Sequence, residues 1–332
     1  MVIRPIKLSL TLAVFLALFF GGVIKESPAA VSRIEYDNRI VDQAGRTLVV
    51  AKPFKRIISL YGAHTENLFS LGLDNEIIGV SRHETYPPQA MQKPVFSYRE
   101  DPEKILAVRP DLVIIRPMID RGYPQFISML EKNGIAIISL QPANVANMYI
   151  YWQILGLLSG KQQQAIKMIS HFKAAVADFK LLTDGKTTKK RVYFEAIHSK
   201  MKTFTPDSMA IFALEAAGGC NIATGAKPVR NTNIAYYGKE RILSRGPEID
   251  VYLAQVGAMN RPSMKLITQE PGFKTIKAVA QGEVYFIDEH IVSRPTMRLL
   301  NGIYAIGKIL YPEEFSSKNL LPHNTQSRFQ RD

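Results

Sequence analysis

Two stretches of the chain share one pattern of polar and apolar positions. Glu103-Lys104-Ile105-Leu106-Ala107-Val108-Arg109-Pro110-Asp111 leads into Leu112-Val113-Ile114-Ile115. Glu240-Arg241-Ile242-Leu243-Ser244-Arg245-Gly246-Pro247-Glu248 leads into Ile249-Asp250-Val251. Each predicts a short helix with an aliphatic inner face, stopped near its proline and followed by a buried parallel strand. Asp101 and Pro102 suit the start of the first helix, as cap and first position. In both copies the Glu lies seven residues before the Pro, and an acidic residue follows it. The two glutamates are 137 residues apart, about one domain's length. The repeat predicts two similar lobes, each presenting one glutamate at an equivalent place.

The remaining pattern fills in those lobes. Ile34-Glu35-Tyr36 and Thr47-Leu48-Val49-Val50 flank the turn-rich Asp42-Gln43-Ala44-Gly45, which predicts a hairpin. Arg56 to Leu60, Ile77 to Val80 and Ile135 to Leu140 read as strands. Thr65 to Gly72, Phe126 to Lys132 and Asn144 to Leu158 read as helices between or after them. Gln162 to Leu182 is a longer helix with Ile166, Ile169, Phe172, Val176 and Phe179 at helical spacing. Beyond it, Arg191 to Glu195 and Val284 to Ile287 predict strands. Ser208 to Ala217, Phe273 to Gln281 and Thr296 to Leu310 predict helices. Strands alternating with helices imply an α/β fold of two Rossmann-like lobes with parallel sheets. One long helix joins them. The implied divisions are a 1–29 leader, a 30–160 lobe, a 161–183 connecting helix, a 184–315 lobe and a polar 316–332 tail.

The leader changes the picture of location. Arg4 and Lys7 precede an uncharged apolar run from Leu8 to Val23, and Ser27-Pro28-Ala29-Ala30 offers small residues for cleavage. This is the pattern of a cleavable signal peptide, with an uncleaved anchor as the alternative. No cysteine follows the run, so the sequence predicts a periplasmic protein that is not a lipoprotein. Cys220 is the only cysteine, which excludes an internal disulfide. The formal net charge of +13 falls to +11 without residues 1–29. The lysines and arginines are dispersed, which argues against a nucleic-acid partner and leaves an anionic ligand or surface.

Three fragments carry a resemblance. They are Lys52-Pro53-x-x-Arg56-Ile57-Ile58-Ser59-Leu60, Thr65-Glu66-x-Leu68-x-x-Leu71-Gly72, and Pro271-Gly272-Phe273 through Val284-Tyr285-x-Ile287-Asp288. In order and spacing the chain resembles, over about residues 40 to 313, the periplasmic binding proteins of ABC importers for ferric siderophores, haem and cobalamin. Tyr86-Pro87-Pro88-Gln89-Ala90 is most similar to the cobalamin-binding members. The resemblance implies a monomer that binds an iron chelate, haem or corrinoid in the ligand cleft between its lobes, has no intrinsic cofactor, and delivers its ligand to a permease dimer. It implies that Glu103 and Glu240 dock onto that permease. The simpler role for each glutamate is to complement its own helix N-terminus.

Ligands of open α/β sheets bind beyond the carboxyl ends of the strands. That rule nominates Tyr61, His64, Tyr86, Tyr98, Arg99, Arg116 and Arg121 from the first lobe. From the second it nominates His198, Tyr236, Tyr237, Arg261 and Arg294. Tyrosines stack on bulky ligands and arginines grip carboxylates, so the set suits an anionic metal chelate. Arg298 fits its helix pattern and reads as a surface or packing residue. His64, His83, His198 and His290 raise direct metal-ion binding, but no H-x-x-x-H or H-E-x-x-H pair occurs. Haem ligation by His64 or a tyrosine, and an oxyanion held by arginines, stay open. An exported enzyme is the rival class. No G-x-S-x-G, P-loop or G-x-G-x-x-G is present, and nothing in sequence places Glu195 beside His198.

Overall fold

A computed structural model describes residues 31–82, 84–230 and 232–316. The expected leader, His83 and residues 317–332 of the polar tail lie outside that set. The described chain opens with a small antiparallel sheet of β1 (Arg33–Glu35), β2 (Arg39–Val41) and β3 (Thr47–Val49). The hairpin across Asp42 to Arg46 therefore joins β2 to β3. Ile34 and Glu35 pair with β2 from its other edge, so the predicted two-stranded hairpin is corrected to three strands.

The N-terminal lobe follows as β4 (Ile57–Ser59), α1 (Gly62–Ser70), β5 (Ile77–Val80), α2 (Glu103–Ala107) and β6 (Leu112–Ile115). It continues through α3 (Pro117–Gly122), α4 (Pro124–Lys132) and β7 (Ala136–Ser139). Its sheet is wholly parallel in the order β5-β4-β6-β7. Then come α5 (Val145–Ser159) and α6 (Gln162–Leu182). Asn144 caps α5 by accepting from Asn147 N at 2.9 Å, and Gly160 closes it in the left-handed conformation. The continuous 21 residues of α6 are those that the heptad-like spacing predicts.

The C-terminal lobe contains β8 (Arg191–Ile197), β9 (Lys202–Phe204), α7 (Met209–Ala216), β10 (Cys220–Asn221), β11 (Lys227–Pro228), β12 (Ile234–Tyr236) and α8 (Lys239–Ser244). It ends with β13 (Val251–Val256), α9 (Met264–Thr268), α10 (Lys277–Gln281), β14 (Val284–Asp288), α11 (Glu289–Val292) and α12 (Leu299–Leu310). Strands β10, β8, β13 and β14 are parallel, while β9, β12 and β11 extend the sheet by antiparallel pairing. This lobe is mixed, not wholly parallel. The tight turn through Met201, at φ 47°, folds the chain straight back from β8 without a crossover helix.

Two predicted helices are shorter in the structure. Residues 273–281 break at Ile276, whose extended backbone places its fully buried side chain in the core. The last helix starts at Leu299 instead of Thr296, because residues 294–296 leave it to reach the other lobe.

Each lobe has its own outer core, around Ile105, Phe126 and Leu130 in the first and Ile267, Phe273 and Ile276 in the second. A third core is shared. It runs from Ile57 and Leu112 through Trp152 and Phe172 to Leu214, Ile303 and Phe315. Helix α5 is apolar on nearly every side, as its place inside this shared core requires.

The repeated helix–strand unit is equivalent in both lobes. Asp111 accepts from Lys55 N and Arg56 N at the start of β4, and Asp250 accepts from Arg191 N at the start of β8. Asp42 ties the small sheet on in the same manner. Its buried carboxylate accepts from Ala44 N, Arg46 N and Ser139 N, and pairs with the Arg46 guanidinium. Asp42→Ala leaves these donors unmet and Arg46 half-compensated. It should cost about 3 kcal/mol in urea unfolding, whereas Lys167→Ala, at an exposed position of α6, should change stability by less than about 0.5 kcal/mol.

Candidate ligand cleft

The carboxyl ends of the parallel strands face one another across the lobes. Tyr61 follows β4, Arg116 follows β6, and Glu289 follows β14. Arg116 lies over the Tyr61 ring, its Cζ 4.8 Å from the centroid, and its Nη2 reaches the Met118 sulfur at 3.6 Å. Arg298 lies over the Tyr86 ring at 4.6 Å. Arg294 crosses between lobes to Glu66, with Nη1 2.7 Å from Oε1, and Arg298 Nη1 is 3.5 Å from the same oxygen. Glu84 accepts from Thr65 Oγ1 at 3.3 Å and from Ser81 Oγ.

Helix α1 makes this arrangement. It is buried from Gly62 to Leu68, a wedge between lobes with no solvent face. A charge inside such a helix must be paired, and Glu66 is 2 % exposed. Burial pushes the Glu66 carboxyl up, and the Arg294 and Arg298 guanidiniums oppose that shift. Glu84 is also raised by burial, opposed by the Ser81 hydrogen bond and Arg294. Gly62 is needed for the approach, since a Cβ there would stand 2.5 Å from Arg294 Nη1. Beside these charges, Pro295 O accepts from Asn67 Nδ2 at 2.9 Å and from Trp152 Nε1 at 3.2 Å.

Of the nominated residues, Tyr61, Tyr86, Arg116 and Arg294 are therefore brought together. Tyr98 and Arg99 form a group with Tyr123 on the first lobe. The Tyr98 and Tyr123 ring centroids are 4.7 Å apart, with Arg99 5.6 Å from the Tyr98 ring. Arg121 and Arg261 are exposed. Tyr236 is exposed over Lys202, and Tyr237 is buried beneath Arg241.

The two nominated histidines are corrected to internal roles. His64 is fully buried. Its Nε2 donates to Ile115 O at 3.1 Å, and its Nδ1, 2.7 Å from the Tyr151 hydroxyl, accepts from it. The carbonyl can only accept, which fixes that tautomer and leaves no nitrogen for a haem iron. His198 is buried against Glu195, Nδ1 to Oε2 2.7 Å, so the structure does place this pair together. Tyr252 Oη and Asn260 Nδ2 also donate to Glu195, sealing it in a polar network inside the lobe. His290 is held by Asp288 at 2.6 Å. Among the described residues no group of three or more His, Cys, Asp or Glu is placed to hold a metal ion.

Glu66, Glu84 and Arg298 were not nominated. Glu66 lies in the buried 62–68 segment, but with His64, Thr65 and Asn67 beside it the sequence there does not mark that burial. Arg298 follows a helical pattern in sequence, but it sits just ahead of α12 and turns into the cleft.

With two lobes, a joining helix and facing strand ends in place, the comparisons with known proteins become informative. The model of the periplasmic binding protein family matches residues 57–291. The chain belongs to this family. An ABC transporter substrate-binding lipoprotein of Bacillus subtilis is 24% identical over 296 residues, covering 88% of this chain and 91% of that protein. A vitamin B12-binding protein of Vibrio campbellii is 29% identical, covering 76% of this chain and 87% of its own length. The structure of a periplasmic haem-binding protein from Roseiflexus superposes with a TM-score of 0.65 at 21% identity, covering 79% of this chain and 99% of that one. Family members are solute-binding proteins of ABC import. Among the described residues no helix is long and apolar enough to cross a membrane.

The buried histidines set opposite pH dependences. Burial lowers His64 to about 3, chiefly by desolvation. A depressed histidine favours the folded state above its unfolded value of 6.5 and loses that contribution as pH falls toward about 3. His198 is pulled down by burial, but the Glu195 hydrogen bond and the Glu195 and Glu270 charges outweigh this and raise it. Its contribution is complete below 6.5 and is lost as pH rises through the raised value. Urea midpoints measured against pH should show His64→Gln flattening the acid limb only and His198→Gln flattening the limb above 6.5.

Proposed function

We propose that this protein captures a metal chelate, in the class of corrinoids, haem and ferric siderophores, and delivers it to an ABC permease dimer. The observation that carries the reading is the cluster at the strand ends, where Tyr61, Tyr86, Arg116 and Arg298 form paired cation–aromatic surfaces between the lobes. Such pairs offer flat, polarizable contacts to a macrocycle or chelate. The vitamin B12-binding relative and the haem-binding structural neighbour support the same class.

Glu103 and Glu240 are the proposed docking points. Both are exposed, in the first turns of α2 and α8. Those helices lead into β6 and β13. A helix returning the chain to the amino end of a parallel strand begins toward the carboxyl ends, so each glutamate belongs to the cleft side of its lobe. Two separated charges register a partner's orientation. The retained leader or its cleavage decides whether the mature protein is released or tethered, and we expect cleavage to a periplasmic monomer.

Native mass spectrometry with an absorbance spectrum, on mature protein from its own cells, tests the ligand class. A co-purifying corrinoid, haem or ferric chelate is the expected result, and a colourless organic ligand would overturn it. The combined Glu103→Lys and Glu240→Lys variant should lose uptake at least about tenfold while ligand affinity stays within about twofold. Uptake at the normal rate would remove the docking role.

A further inference from the structure

The arginines between the lobes are matched by carboxylates. Arg116, Arg294 and Arg298 stand against Glu66, Glu84 and Glu289, linked through Glu66, Tyr61 or Arg294, and Asp288 lies near Arg298 as well. The arginines are also occupied: Arg294 by Glu66, Arg298 by Glu66 and Tyr86, and Arg116 by Tyr61 and Met118. Arg298 Nη1 is buried without a hydrogen bond, held only by the Glu66 charge 3.5 Å away. Glu66 Oε2 and Glu84 Oε2 are likewise buried without a hydrogen-bond partner. These are acceptors only, so they favour N–H or O–H donors and repel another anion. From the end of β13 onward, Val256, Met259, Met264 and Leu266 are between 38% and 58% exposed, interspersed with the exposed Arg261 and Lys265. Methionine there suits a bulky, polarizable surface.

We propose that Glu66 and Glu84 make this cleft selective for a chelate of no net charge that offers hydrogen-bond donors, and against polyanionic chelates. The proposal rests on the reading above that the ligand is a metal chelate, and names its class further. The two carboxylates are specificity residues: they neutralise arginines that would otherwise draw acidic ligands. Glu84 is the partly exposed member and the one whose charge is removed with least risk to folding.

Titration calorimetry on the mature protein tests this with cyanocobalamin, whose corrin carries uncharged amides, and with the cobyrinic acid in which carboxylates replace them. Haemin, a dicarboxylate, is the third probe. The wild type should bind cyanocobalamin at least about tenfold more tightly than the polycarboxylate. Its affinity should change less than about twofold between roughly 50 and 500 mM salt, as for a ligand making no net ion pairs. Glu84→Gln, with its melting temperature checked, should move the ratio toward the polycarboxylate by about tenfold. Should that variant fail to fold, the wild-type ratio and salt dependence decide alone. Preference for the polycarboxylate or haemin overturns the charge selectivity and leaves the transport reading intact. An unchanged ratio in folded Glu84→Gln also overturns it. Binding of no chelate at all removes both.

Discussion

Glu66 is a carboxylate set inside the molecule, and it can stay there because Arg294 and Arg298 reach it from the other lobe. A lone buried carboxylate would cost several kcal/mol or take up a proton. Its position therefore constrains both lobes at once. Helix α1 must be buried, a side chain at Gly62 would displace the Arg294 guanidinium, and residues 294–298 must leave α12 to bring their charges across. Asn67 and Trp152 secure the same segment through Pro295 O, so the crossing is held by neutral bonds as well as by charge. Removing one charged partner would be worse than never having had the pair, which makes this a constraint on geometry more than a source of stability.

The shared core reinforces that constraint. A protein whose lobes met only at a linker would carry two closed cores, and here a third runs between them through α5, α6, α7 and α12. Opening the lobes would expose large apolar side chains such as Trp152 and Phe172, each worth about 1.5–3 kcal/mol in burial. Ligand entry by small adjustments of exposed loops costs far less than separation of the lobes. A ligand site at the strand ends, as proposed, would then need little rearrangement of the lobes, which keeps the ordering cost of binding low.

The sequence made the scaffold legible where one physical signal dominated. The all-apolar run 112–115 could only be a strand covered on both faces, and the periodicity of 162–182 gave α6 its observed ends. The antiparallel half of the second sheet was hidden because β9, β11 and β12 are two or three residues long, too short for alternation to register. The cleft was half legible. Tyr61, Arg116 and Arg294 follow from the rule of strand ends, since each stands where a strand or its succeeding helix hands over to a loop. His64 failed by the same rule. It lies one turn into α1, and burial there turns its side chain toward Ile115 and Tyr151. Glu66 and Arg298 depend on a contact spanning more than two hundred residues, which no local pattern encodes.

The exterior and the cleft use charge differently. Over the whole chain the balance is +13, spread over dispersed lysines and arginines. Beyond a Debye length of about 8 Å such charges are screened, so they govern encounter with anionic surfaces more than recognition at close range. Inside the cleft the charges stand within contact distance and in reduced dielectric, where each sign counts fully. Glu103 and Glu240 belong to neither group. They are exposed acidic points on a basic exterior, each attached to a central strand whose start is fixed by Asp111 or Asp250. Their separation is therefore set by how the two lobes pack on the shared core, and under the proposed docking a partner gripping both glutamates would register that packing.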